Sequence, residues 1–204
     1  LRATGGFISG IGIRVLDQGR ISHLSLYDSY LVDSMTAEHP DPPAALKEHM
    51  GIDLWVARDS NWFPHFPSSA RACVDLLRLG QDVQVDSVVA ADLTALQRII
   101  GVLGPVALPK YGVEVNADNA LRVLRDLWAP SLPEGQSWEE WRKAESLPWD
   151  QRPKAWREWF LRRKRFMPDL LSALMSRAMS GPDALDIKGL LFTIKQLLDE
   201  KHIL

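Results

Sequence analysis

Cysteine is almost absent: Cys73 stands alone in 204 residues, so an internal disulfide framework is excluded. A reducing, cytoplasmic setting is the expectation that follows. Long apolar runs are missing as well. No stretch approaches the roughly 20 residues that a membrane-spanning helix requires, so no membrane association is expected. The opening Leu1-Arg2-Ala3-Thr4-Gly5-Gly6 lacks the charged-then-apolar layout of a signal peptide. Strong net charge is lacking too, and a balance of -2 argues against a protein that meets nucleic acid with its whole surface.

Motif chemistry is equally sparse. His39, His49 and His65 are irregularly spaced, and no His-Glu-x-x-His pattern places two imidazoles on one helical face. With one cysteine there is no paired-thiolate zinc set, so no metal is expected. Gly-Lys-Ser/Thr does not occur, which removes a Walker loop. Gly5-Gly6 and Gly10-Ile11-Gly12 resemble a dinucleotide fingerprint in spacing only. They precede or sit inside a strand pattern, so no helix N-terminus faces a phosphate. No cofactor is expected.

Ordinary globular material is present in quantity, at 46% hydrophobic and 25% charged residues. Residues 7–32 alternate in the manner of a β-hairpin turning at Asp17-Gln18-Gly19. Gly10 and Gly12 leave a bare stripe there, against which a helix or a second backbone is expected to pack. After His39-Pro40-Asp41-Pro42-Pro43 a short helix is predicted through Met50, closed by Gly51. Ile52–Ala57 and Val83–Ala90 read as third and fourth strands, with a helix between them capped by Ser68 or Ser69 and running to Leu79. Asp92 opens another helix. Beyond Asn116 the pattern is helical throughout, with Asn116–Asn119 and Ser137/Glu140 as caps and breaks at Pro168 and Gly181-Pro182. Ile187, Leu190, Leu191, Ile194, Leu197 and Leu198 line one face of the last helix.

Strands followed by a run of helices define an α+β protein: a small, mainly antiparallel N-terminal sheet with packed helices, then an all-helical C-terminal half. Residues 1–129 form the α+β domain. Residues 137–204 form a helical region, either separate or part of the same domain. Charge divides along the same line, with 11 Lys and Arg against 15 Asp and Glu up to residue 130, and 13 against 11 beyond it.

Two aromatic groups are the candidate partner-binding residues. Trp62, Phe63 and Phe66 sit in a turn-rich loop, Asp59–Pro67, where exposure is expected. Trp138, Trp141, Trp156 and Trp159 belong to a set of five tryptophans within 22 residues, directly followed by Arg162, Arg163, Lys164 and Arg165. Such a set either meets a partner with indoles and cations or clamps short helices together with the cations solvated or stacked on rings. Four consecutive cations span a helical turn, so some face solvent in either case.

Other groups carry less. The acidic first half (Asp28, Asp33, Glu38, Asp41, Glu48, Asp53, Asp59) either mimics a phosphate backbone or solvates loops. Asp53 and Asp86, in or beside predicted strands, sit where a metal-dependent nuclease could place its carboxylates, or else are solvated strand ends. A common companion, an acid two residues before a lysine on an adjoining strand, is missing. Cys73 reads as an inert packed thiol. Ser68 and Ser69 become nucleophile candidates only if a histidine such as His65 or His23 comes within reach.

The first functional reading is a soluble, non-catalytic protein that binds another protein, in an inhibitor, immunity-type or assembly role. Nucleic-acid binding through residues 152–165 is the alternative, and a hydrolase or nuclease built on Asp53 and Asp86 the second. No catalytic residue is assigned.

Overall fold

The computed structural model describes residues 6–18, 20–128, 137–145, 147–179 and 186–204. The fold is α+β, and the chain separates into two compact units, Leu1–Val89 and Ala90–Leu204.

Unit 1 opens with the expected antiparallel hairpin of β1 (Gly10–Asp17) and β2 (Arg20–Asp28), with Gly10 opposite Asp28 and Asp17 opposite Arg20. Gln18 takes a left-handed φ of 47° at the turn, while Gly19 lies outside the described residues. At Gly10, among the described residues, an added Cβ would meet the Tyr27 carbonyl of the partner strand at 3.6 Å, an ordinary contact distance, so the backbone beside it is the paired strand's and leaves room for a side chain. One helical turn, α1 (Ser29–Val32), follows, and then α2 (Ala44–Met50) behind Pro43. Gly51 closes α2 at φ 63°, the left-handed conformation a helix-ending glycine supplies without steric cost.

The predicted third and fourth strands do not form. Ile52–Ala57 and Val83–Ala90 are irregular, and among the described residues no strand pairs with them. A short apolar run becomes a strand only when a ladder partner exists; here Ala57–Asp59 tightens into a 3-10 turn instead. Helix α3 (Phe66–Gly80) starts two residues before the expected serine cap. Pro67 occupies its first turn, where a missing N–H costs nothing. Ile11, Val32, Ala57, Leu76 and Leu77 form the core of the unit.

Gly80 sets how closely the end of α3 approaches the chain after α1. A Cβ there would lie 2.2 Å from the Val32 carbonyl oxygen and 2.7 Å from the Ser34 nitrogen. Only a residue without a side chain allows that approach.

Unit 2 begins with α4 (Leu93–Leu103), capped as expected by Asp92, whose side chain accepts the Ala95 N–H at 2.9 Å. An unforeseen hairpin follows, β3 (Val106–Leu108) against β4 (Val113–Val115), turning through Pro109-Lys110-Tyr111-Gly112. Asn116 and Asn119 cap α5 (Ala120–Trp128), the Asn116 side chain accepting the Asp118 and Asn119 N–H groups at 3.0 Å. Ser137 and Glu140 exchange the reciprocal bonds of a capping box at the head of α6 (Trp138–Glu145).

The expected break at Pro168 is also absent. Helix α7 runs unbroken from Lys154 to Ala178. Pro168 forfeits one main-chain hydrogen bond, but Phe166, Leu170 and Leu174 on either side are buried in one cluster with Ile100, Leu103, Val106, Leu108, Val115 and Leu124. At about 1.5–3 kcal/mol for each large apolar side chain buried, that packing outweighs one lost bond. The cluster draws on elements from both sides of Ala129–Gln136, the expected linker, which lies outside the described residues along with Gly181-Pro182. Helix α8 (Ile187–Asp199) completes the unit. Among the described residues no helix is long and apolar enough to cross a membrane.

Candidate functional site

Helix α3 builds one wall of an open groove in unit 1. Ser68, Arg71, Ala72, Asp75, Leu76 and Leu79 recur at three- and four-residue spacing, so they share one face of the helix. Ala72, Leu76 and Leu79 make the apolar part of that wall. Trp55 and Pro40 line the opposite side of a cavity of about 490 Å³. Arg71 and Asp75 stand exposed at the rim. Asp75 is drawn toward Arg78 at 3.8 Å, whereas Arg71 has no ion-pair partner among the described residues.

Trp55 is held from several directions. Its indole N–H donates to the Asp59 carbonyl at 3.4 Å, and its ring meets Phe63 edge-on, with centroids 6.3 Å apart and planes at 71°. Its own carbonyl faces His39 Nδ1 at 2.8 Å. Below it, Asp33 accepts the Ala57 N–H at 2.8 Å. Burial pushes the Asp33 carboxyl above the usual carboxylate range, although Ala57, Arg58 and His39 pull the other way.

The loop aromatics are therefore not the exposed set that turn composition suggested. Trp62, Phe63 and Phe66 are each half-buried; Phe63 supports Trp55, and its carbonyl accepts the Ser69 hydroxyl at 2.9 Å. Of the residues that line the groove, Ser68 drew notice from sequence only as a helix cap or nucleophile candidate, and Trp55, Arg71 and the apolar α3 positions were not singled out as binding residues. The stripe was legible in the spacing 68, 71, 72, 75, 76, 79; its pairing with Trp55 and Pro40 depends on tertiary structure.

His65 does come within reach of Ser68, with Nδ1 2.9 Å from the hydroxyl oxygen. The contact is local, however, between the N-cap residue and the third residue of α3. The Ser68 and Ser69 N–H groups already donate to the His65 carbonyl, at 3.0 and 3.2 Å, so they are not free to stabilise an oxyanion. Among the described residues no carboxylate orients the far ring nitrogen, which a nucleophile–base pair needs. Burial pushes the Cys73 thiol up, away from the reactive thiolate. Asp53 and Asp86 are exposed and not strand-borne, and among the described residues no group of three or more His, Cys, Asp or Glu could hold a metal ion.

In unit 2 the tryptophans face one another. Trp141 and Trp156 are each 4% exposed, and Trp159 and Phe160 pack against them. Trp141 meets Trp159 at 4.7 Å and 68°, and Trp156 stacks on Phe160 at 5.0 Å and 12°. The Arg152 guanidinium lies 4.5 Å from the Trp156 ring centre. These rings join α6 to the start of α7. The side chains of Trp138, Arg162, Arg163 and Lys164 lie outside the described residues. Arg165 is exposed and lines a smaller depression of about 320 Å³ with Lys110, Tyr111, Glu158 and Leu161. Asp169 answers those cations, accepting from Lys110 at 2.8 Å and from the Tyr111 hydroxyl at 2.6 Å.

Residues 1–127 match the family described as "Protein of unknown function (DUF4012)". The chain belongs to that family. No curated protein and no solved structure matches it. The DUF4012 segment contains the whole groove of unit 1 and ends within α5; the tryptophan cluster of α6 and α7 lies beyond it.

Proposed function

We propose that the protein is a non-catalytic interaction module whose α3 groove takes a segment of another protein, in an inhibitor, immunity-type or assembly role. One observation carries this reading: a continuous helical stripe lines an open, mainly apolar groove against a fixed tryptophan, with an exposed arginine, Arg71, at the rim. Aromatic anchors in desolvated pockets and arginines at their edges dominate binding energy at such surfaces. A groove of about 490 Å³ accommodates one or two large side chains. Arg71 suits a carboxylate on the incoming segment, so an apolar residue beside an acidic one is the matching ligand chemistry. A cytoplasmic setting goes with the single half-buried thiol of Cys73.

Affinity capture from the native host, comparing the wild-type chain with Trp55→Ala and Arg71→Glu, tests the reading. A partner protein retained by wild type and lost with both variants supports it; equal retention by all three removes the groove as the site. Binding of nucleic acid through residues 152–165 makes the opposite forecast. Its affinity falls steeply with added salt, drops with Arg165→Glu and ignores Trp55→Ala.

A further inference from the structure

His39 joins the two segments that form the groove's far wall, and it does so through contacts that only one form of its ring satisfies. Nδ1 lies 2.8 Å from the Trp55 carbonyl oxygen and Nε2 lies 2.5 Å from the Ser34 carbonyl oxygen. Carbonyl oxygens only accept. A neutral imidazole has one N–H and one lone pair, so it can serve one of the two and sets lone pair against lone pair at the other. The imidazolium donates to both. Its neighbour in charge is Asp33, one residue before Ser34, whose half-buried carboxylate gives one oxygen to the Ala57 N–H and leaves the other buried without a hydrogen-bond partner among the described residues. Arg58 and Asp59 are the other charges that face Asp33, and Glu38 and Asp41 flank the ring in sequence and are exposed.

We infer that His39 is a proton-operated clasp on the α3 groove. In the protonated form it ties Ser34 to Trp55, sets the Trp55 ring on the groove side and positions Pro40, the next residue, on the facing wall. Loss of the proton releases one of the two carbonyls, and the Trp55–Pro40 wall loosens from α3. The inference rests on the groove as the binding site for its functional meaning. Its structural content stands separately: the state of one ring governs the geometry of residues 34–55.

Nuclear magnetic resonance on the free, full chain tests it, with no partner required. The His39 ring nitrogens and the Trp55 amide and indole signals are followed from about pH 5 to about pH 9, the range in which histidine changes charge. The expected result is two protonated ring nitrogens at the acid end and a Trp55 shift that follows the His39 titration with the same midpoint. In Asp33→Asn that coupled shift persists, and in His39→Gln it vanishes. The clasp is overturned by a ring with one protonated nitrogen throughout, by Trp55 signals indifferent to His39, or by a Trp55 shift abolished in Asp33→Asn. Any of these leaves the groove reading untouched, since that reading stands or falls on partner capture with Trp55→Ala.

Discussion

Asp92 and His202, 110 residues apart, close unit 2 on itself: the Asp92 carboxylate lies 2.7 Å from His202 Nδ1 while its other oxygen caps α4 through the Ala95 N–H. Around them residues 90–92 and 202–204 exchange main-chain bonds, Ala90 with Leu204 in both directions at 3.0 Å. Asp92→Ala removes both interactions. Loss of the cap alone costs about 1 kcal/mol, and the His202 contact goes with it. Hydrogen exchange should show faster opening at Ala95 and at residues 202–204, while α3 in unit 1 keeps its protection.

Gly80→Ala tests the close approach in unit 1. The added methyl would meet main-chain atoms of Val32 and Ser34, which cannot rotate away as a side chain would. Overpacking of this kind costs about 1–3 kcal/mol. Denaturant unfolding should register that loss, although alanine is the better helix former. An unchanged midpoint would show that the α3 end does not sit against residues 32–34.

Acid should act on the two units in opposite directions. Burial works to raise the Asp92 and Asp169 carboxyls, yet hydrogen bonds from Ala95 and His202 in one case, and from Lys110 and Tyr111 in the other, hold both below the usual range. Groups lowered in the folded state contribute stability above the unfolded value of about 3.9, and that stability is lost as pH falls through their native values. Asp33, raised by burial, has the reverse sign. Its ionised form costs unit 1 stability, and protonation relieves the cost as pH falls through the raised native value toward about 3.9. Hydrogen exchange across a mild acid series should therefore show rising protection at Leu76 and Leu77, in the core of unit 1, before protection at Ala95 declines.

Trp156→Ala separates the two roles open to the tryptophan cluster. Trp156 packs among Trp141, Trp159, Phe160 and Arg152, so truncation should cost about 3–5 kcal/mol, as large-to-small core changes do. A loss below about 1 kcal/mol, with full retention of helix signal, would instead mark the ring as a surface contact.

Local chemistry was the legible part of the fold. The hairpin, the Gly51 stop, the Asp92 cap, the Asn116–Asn119 cap and the Ser137/Glu140 box each depend on residues within a few positions of one another, and each formed as read. Errors fell where a distant partner decides. Ile52–Ala57 and Val83–Ala90 have strand composition but no ladder to join, and Val106–Leu108 and Val113–Val115 pair although each is only three residues long. Pro168 argued for a break until burial of Phe166 and Leu170 outweighed it. The groove was hidden for the same reason, since Pro40, Trp55 and Leu79 meet only in the folded chain.

Photo-cross-linking from within the groove puts the binding role to its most direct trial. A benzoylphenylalanine at position 72, on the α3 wall, is compared in the native host with the same group at position 165 in the depression of unit 2. The groove reading requires a discrete protein adduct from position 72 that disappears when Trp55→Ala is added, with no matching adduct from position 165. Adducts from position 165 alone, or nucleic acid as the cross-linked species, would contradict it.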